Sequence, residues 1–527
     1  MTTSSPGRVR PGWSTLRRAA VPVLAAAAIG GCAVQATPRA TPPAATPSTT
    51  APTDMAPWSV ATENAKPGTA DWQIHDAATD HEIEAYADHT SVVTGHPVTL
   101  YVSTSSTGYV VRAYRMGWYA GDEAREVWVS PPQHGVHQLP ARVDPMNHTV
   151  TAPWQPSMQV PTDGWPPGDY LLRLDADSGK QWFVPLTVRA VHPPDHAVVI
   201  VNAVTTWQAY NAWGGYSLYH GRSGLSGYAD RARIVSFDRP YAEGAGSGDF
   251  LGNELPALAL AEKLGLPLAY ATSIDLDRDP TLLDGAAAVL SLGHDEYWSS
   301  AMRASVTAAR DRGTNVAFLG ANAIYRHIRF GDGPLGPDRL IIDYKSASED
   351  PLDGVDDKQV TVNWRAPPLD DPETSLTGVT YQCNPVDDPL VVADASSWLF
   401  AGTGARDGEQ LPGLVGSEYD RVDLSRPQTP RPIEVLFHSP VQCRGQSDAQ
   451  ESAYYTTGSG AGVFDSGTSS WVCALDDICT QGRGDKRAQV VIRVVTANLL
   501  RAFAAGPAGE QHPAVDNVSR VQGPSAG

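Results

Sequence analysis

Positive charge is in short supply. Against 58 acidic residues the chain carries 39 Lys and Arg, for a net charge of −19. Gripping a phosphate backbone requires a basic face, so nucleic acid is excluded as a partner. Cysteine is scarcer, with five in 527 residues. No two of them form a CxxC pair, so a four-thiolate zinc site lacks its usual spacing. No internal repeat is evident in the sequence. Beyond residue 32 no apolar run has the length or purity of a transmembrane helix. What is present is 42% hydrophobic and 18% charged residues, the balance of a globular chain rather than a disordered one. The length exceeds what one hydrophobic core supports, so two or three domains are expected.

The N-terminus carries the strongest local signal. Arg8, Arg10, Arg17 and Arg18 precede the apolar run 19–29. That run is too short to span a bilayer but suits the core of a signal peptide. It ends in Ile29-Gly30-Gly31-Cys32, which resembles the lipobox of bacterial lipoproteins, where the chain is cut before the cysteine and the cysteine is acylated. The expectation is a signal peptide over 1–32, lipidation at Cys32, and export to the outer face of the cytoplasmic membrane. Membrane contact is expected through that lipid anchor only. The alternative is an ordinary secretory signal with an incidental cysteine. Residues 33–56 are Pro, Thr and Ala with little to bury, an extended tether. The remaining Cys383, Cys443, Cys473 and Cys479 form an even set, as expected of two disulfides in an oxidising compartment. Cys473 and Cys479 are close enough to close a small loop, which leaves Cys383 with Cys443, although three connectivities are open.

From 57 to 192 the pattern is β. PVTLYVST (97–104), YVVRAYRM (109–116), GDYLLRLDA (168–176) and KQWFVPLTVR (180–189) alternate or run apolar between Gly, Pro, Asp and Ser, as in an antiparallel sandwich. After residue 193 strands alternate with helices. HAVVIVNA (196–203), RIVSF (233–237), LAYAT (268–272), AAAVLSL (286–292) and NVAFLG (315–320) read as strands. ELPALALAEKLG (254–265) and SSAMRASVTAARDRG (299–313) read as helices. That alternation implies a parallel sheet covered on both faces. The α/β region is expected to run over 193–507, with a β-rich insertion at about 330–455 stapled by Cys383 and a disordered tail over 508–527. The fold class is therefore α/β, with an N-terminal antiparallel β-sandwich ahead of a parallel α/β domain.

In open α/β sheets, ligands bind beyond the carboxyl ends of the strands. That rule selects the loops after 196–203, 233–237, 286–292 and 315–319, which hold Tyr210, Tyr241, His294-Asp295-Glu296 and Asn322. A loop such as GHDEYW can place a carboxylate on a metal while an imidazole moves a proton. The plainer reading has Asp295 capping amides, Ser299 capping a helix and His294 packed in the core. Lone tyrosines after strands are commonly packing residues, and Asn is common in turns. Adjacent residues on an extended loop point apart, so Asp295 and Glu296 make a poor metal-free acid/base pair. Fourteen tryptophans, among them Trp207, Trp213 and Trp298 near the expected rim, would also suit an envelope protein that binds glycan or peptide.

The segments TWQAYNAWGG, RPY, SLGHDEYWS and LGANAIYRHIRF, together with YRMGWYAGDEAREV (114–127), resemble the C-terminal domain family of the N,N-dimethylformamidase large (beta) subunit. The resemblance spans roughly residues 80–505. It implies a core similar to the glutamine-amidotransferase-like, flavodoxin-like α/β fold. It also implies a mononuclear iron, Fe3+, held by two tyrosines and a glutamate, with a histidine and an asparagine beside it. Carried over, Glu296 is the glutamate, His294 the histidine, Asn322 the asparagine and Tyr241 one tyrosine. Tyr210 is the other, with Tyr219 as the fallback. Phenolate and carboxylate are hard anionic ligands that suit ferric iron. The implied reaction is metal-assisted hydrolysis of a small-molecule amide, with Glu296, His294 and Asn322 at the centre. Need for a small subunit and assembly into an oligomer stay open.

Overall fold

Seven strands make the central sheet, and their order decides where the chemistry can sit. They are β1 (Val198–Asn202), β2 (Leu268–Thr272), β3 (Ala288–Gly293), β4 (Asn315–Gly320), β5 (Ile433–Cys443), β6 (Gln446–Thr456) and β7 (Gly462–Asp465). Their spatial order is β2-β1-β3-β4-β7-β6-β5. The first five are parallel, and β6 and β5 extend the sheet antiparallel. From β1 the chain winds first to β2 on one side and then back to β3 on the other. The switch point therefore lies between the carboxyl ends of β1 and β3.

The structure, a computed structural model, describes residues 58–476 and 485–523, the side chains of 225–227 excepted. Cys32, the 1–32 signal, the 33–56 tether and Cys479 lie outside the described residues. So does the Cys473–Cys479 pairing. Among the described residues no helix is long and apolar enough to cross a membrane.

Side-chain alternation explains the covering of the sheet. Val198 and Ile200 face a cluster with helix α2 (Leu255–Lys263) and helix α4 (Lys486–Ala504). Val199 and Val201 face Met302, Val306 and Ala309 of helix α3 (Ser300–Asp311). Period-2 strands buried on both faces read as continuous apolar runs. Helix α3 starts where Ser299 caps it, Oγ accepting from Met302 N at 3.1 Å, and it is followed by Gly313 at φ +107°, a left-handed stop.

The N-terminal region is a sandwich of two sheets. One holds Ile83–Ala87, Val98–Thr104 and Met158–Val160. The other is built around Gly108–Met116, Gly168–Ala176 and Gln181–Arg189. Ile83, Leu100, Val111, Leu172, Leu174 and Val184 fill the space between them. The second sheet also buries its outer face, for Tyr114, Leu171 and Phe183 share a core cluster with Val198 and Ile200. Across this seam Arg115 Nη2 donates to Glu262 Oε1 at 2.7 Å and to the Tyr270 hydroxyl at 3.1 Å, while Nε donates to Pro167 O at 3.0 Å. A buried ion pair satisfied in this way resists loss of either partner, at about 3–5 kcal/mol. Sandwich and α/β region thus share one core, and the described residues form one compact unit.

Three expectations change. RIVSF is a strand (Ile234–Ser236), but it belongs to a separate four-stranded sheet with Gly336–Ile342, Arg326–Gly333 and Tyr297–Ser299. The 330–455 stretch is not wholly an insertion, because β5 and most of β6 fall inside it and complete the central sheet. Its other long hairpin, Thr380–Val391 with Gln410–Arg421, forms a separate two-stranded ribbon that packs against β5 and β6. Finally, 508–523 is no disordered tail. Val518 is fully buried, and the Asn517 amide exchanges hydrogen bonds with Val435 N and O at 2.7 and 3.0 Å. The Cys383–Cys443 disulfide, with 60 residues of separation, ties the ribbon to β5.

Candidate functional site

Beyond the carboxyl end of β1 the chain turns directly into helix α1 (Val204–Tyr210), which places Tyr210 on its last turn. Thr206 Oγ1 accepts from Glu296 N at 3.0 Å, and Thr205 Oγ1 donates to Tyr297 O at 2.9 Å. The helix thereby fixes the loop that follows β3. Leu218 N donates to Ala209 O at 2.9 Å, folding the next loop back so that the Tyr219 ring stacks on Tyr210 at 4.6 Å between centroids.

Both hydroxyls aim at one carboxylate. Tyr210 Oη donates to Glu296 Oε2 at 2.6 Å, and Tyr219 Oη donates to Oε1 and Oε2 at 2.8 and 3.0 Å. Glu296 is 1% exposed. Burial, then the charge of Glu296, hold both phenols well above their usual acidity range. Beside the cluster, Arg326 Nε lies 3.5 Å from Glu296 Oε1. Lys345 Nζ sits 3.4 Å from the Tyr219 ring centre and donates to the Tyr297 hydroxyl at 2.6 Å. Burial and the neighbouring Arg326 bring the Lys345 ammonium down to about 7.

The loops after β3 and β4 meet because Gly293 and Gly320 are register partners. A Cβ on Gly320 would overlap the Gly293 carbonyl, so only glycine allows this approach. His294 and Asn322 are thereby neighbours, with Asn322 Nδ2 3.3 Å from His294 Nε2. Asn322 adopts φ +59°, a left-handed conformation that Asn tolerates. Its backbone N–H donates to both oxygens of Asp420 at 3.0 Å. His294 Nε2 pairs with Glu418 Oε2 at 2.9 Å and lies 3.6 Å from Glu296 Oε2. Burial pulls the imidazole down, but Glu418 and then Glu296 outweigh it and lift His294 to about 10. Burial would likewise raise Glu418, yet His294 holds it below the usual carboxylate range.

Tyr210, Tyr219, His294, Glu296, Asn322, Arg326 and Glu418 line a cavity of about 820 Å³ together with Tyr325, Tyr381, Asn384 and Arg444. Among the described residues no three His, Cys, Asp or Glu side chains are placed to hold a metal ion. A cation here would depend on the tyrosine oxygens. Two phenol oxygens and a carboxylate converging on one point are hard oxygen donors of the kind such a cation takes.

Of the residues expected from sequence, Tyr210, His294, Glu296 and Asn322 come together, and the fallback Tyr219 joins them. Tyr241 does not. It follows a strand of the side sheet, so its ring stands edge-on to Trp207 at 6.1 Å. It lines a separate cavity of about 30 Å³ with Asp169, Asn202 and Arg339. Asp295 is structural, accepting from Ser291 Oγ at 2.8 Å and raised to about 7 by burial. Trp207, Trp213 and Trp298 are buried, and none lines the large cavity, which removes the stacking surface that a glycan-binding reading relied on. Glu418, Arg326 and Lys345 escaped sequence reasoning. Glu418 sits in an interrupted strand of the ribbon, where only the alternation of QLPGLVGSEYDR signals structure and nothing signals chemistry.

Comparison with known proteins agrees in part. No curated protein matches the chain. Among solved structures, a cycloisomaltooligosaccharide glucanotransferase of Paenibacillus sp., complexed with cycloisomaltoheptaose, is similar at 13% identity over 24% of this chain and 16% of that one. Its TM-score of 0.14 carries no argument. A family model described as N,N-dimethylformamidase beta subunit-like, C-terminal, matches residues 110–485. With most of its length inside that match, the chain belongs to the N,N-dimethylformamidase beta subunit-like, C-terminal family.

Proposed function

We propose that the Tyr210, Tyr219 and Glu296 oxygens hold a hard cation, ferric iron by preference, and that the site hydrolyses a small amide or other C–N bond. One observation carries this reading: two phenols converge on a single buried carboxylate. Three anionic oxygen donors match a hard ion and leave positions free for other ligands. Bound there, such an ion supplies Lewis acidity to an amide carbonyl and to water.

The chain's own residues do the rest. Glu418 keeps His294 charged and oriented through the 2.9 Å contact, and His294 delivers its proton to the departing amine nitrogen. The Asn322 side-chain amide, held beside His294, donates to the oxygen on which negative charge develops. Arg326 balances the buried carboxylate beside it. The proposal keeps the lipobox reading, with the enzyme tethered through Cys32 on the outer face of the cytoplasmic membrane.

The test is amine release from a panel of short N-alkyl amides by iron-loaded protein. Turnover that disappears in Glu296→Ala supports the proposal. Stoichiometric iron without turnover of any C–N substrate defeats it.

A further inference from the structure

The cavity offers far more room than a short N-alkyl amide fills. At about 820 Å³ it falls in the ~300–1,000 Å³ range of pockets for drug-sized ligands. Its lining also holds a cation that the chemistry above does not use. Arg444 sits in the turn between β5 and β6 at φ +52°. Its Nε donates to Asn384 O at 2.9 Å, and its Nη2 donates to Asn384 Oδ1 at 3.0 Å. The preceding residue, Cys443, is disulfide-bonded to Cys383, the residue before Asn384. The disulfide thus fixes the turn to the cavity wall, and the two hydrogen bonds steer the solvent-exposed Arg444 side chain along it.

A guanidinium has five N–H donors, and Asn384 takes two. The Nη1–Nη2 end keeps a free pair at the spacing a carboxylate accepts. Arg444 bonds only neutral oxygens of Asn384, and no acidic side chain among the described residues pairs with it, in a chain of net charge −19. Holding the side chain in advance lowers the entropy lost when a ligand binds. The same asparagine continues inward, its Nδ2 donating to Glu418 Oε1 at 2.7 Å, and Glu418 pairs with His294. The arginine is therefore linked through two side chains to the proposed proton donor.

We propose that Arg444 is the anion-recognition residue of this pocket, and that its ligands are amides bearing a carboxylate or similar anionic group, of the size of an N-acylated amino acid. The amide part rests on the hydrolase reading above; the anion part rests on Arg444 alone.

Calorimetric titration of the full, iron-loaded chain separates the two. N-acetylphenylalanine carries the carboxylate, and N-acetylphenethylamine is its neutral counterpart. The wild type is expected to bind the anion at least about tenfold more tightly, the ratio that hydrogen bonds to a charged group bring, with the ratio falling as salt rises. Arg444→Met should bring the ratio close to one, and Arg444→Lys should restore part of it, with circular dichroism confirming the fold of each. Equal binding in the wild type, no binding of the anion, or a preference that survives Arg444→Met overturns the proposal. Arg444-dependent binding without acetate release defeats the hydrolase reading and leaves the anion assignment standing.

Discussion

The Tyr210 and Tyr219 rings stack with centroids 4.6 Å apart and deliver both hydroxyls to one carboxylate, Glu296. Stacking fixes where the oxygens lie relative to each other, and Glu296 fixes where they point. Neither phenol is acidic in that setting, since burial and the carboxylate both favour the protonated form. A cation at the cluster reverses that preference, as bound ions generally do for neighbouring ligands.

In the proposed mechanism Glu418 acts through His294, with which it pairs at 2.9 Å. Glu418→Gln removes the charge that holds the imidazolium while keeping the shape and the contact with Asn384. Turnover of an amide substrate is expected to fall by roughly 10²–10⁴-fold, the range for loss of general-acid help, with KM changed far less and iron content unchanged. Steady-state kinetics with metal analysis checks it. A kcat within twofold of wild type would remove Glu418 from the mechanism.

The Cys383–Cys443 disulfide closes a 60-residue separation. Loss of such a crosslink frees the unfolded chain by about 4 kcal/mol in the chain-entropy account. A Cys383→Ser/Cys443→Ser chain is expected to unfold at lower denaturant. It should also lose anion preference in the pocket, because Arg444 is released from the wall. Equilibrium unfolding and the titration described above measure the two effects separately.

Asp169 is 2% exposed, accepts from Thr187 Oγ1 and Asn202 Nδ2 at 2.8 and 2.6 Å, and leaves Oδ2 without a partner. Burial raises its carboxyl to about 7. An acid raised in the folded state is ionised more readily in the unfolded chain, so stability is lost as pH climbs from about 4 through 7. The full effect, up to about 4 kcal/mol, is reached above the folded value. Asp169→Asn should therefore gain melting temperature over wild type increasingly between pH 5 and 8 and level off beyond. A gain independent of pH would contradict this.

What could be read from the sequence followed locality. The runs 196–203, 286–292 and 315–320 are strands β1, β3 and β4, and their carboxyl ends yield Tyr210, His294, Glu296 and Asn322. RIVSF is indistinguishable from them as a short apolar run. Only long-range pairing with Gly336–Ile342 assigns it to another sheet, and Tyr241 leaves the site with it. The reach of β5 and β6 into the central sheet is equally non-local. Glu418 was hidden because Pro412, Gly413 and Gly416 break its strand pattern. Tyr219 lies on no strand end at all; a backbone bond to Ala209 brings it in. Val515, Val518 and Val521 were too few to mark 508–523 as folded.

The account stands on which tyrosines share an ion with Glu296, and metal analysis of single variants decides it. Purified wild type and Tyr241→Phe are expected to hold one iron per chain and to show the visible absorption of phenolate on ferric iron. Tyr210→Phe and Tyr219→Phe should each weaken or abolish that band and lower the iron content. Iron retained with an unchanged band in both Tyr210→Phe and Tyr219→Phe, or lost in Tyr241→Phe alone, would contradict the assignment.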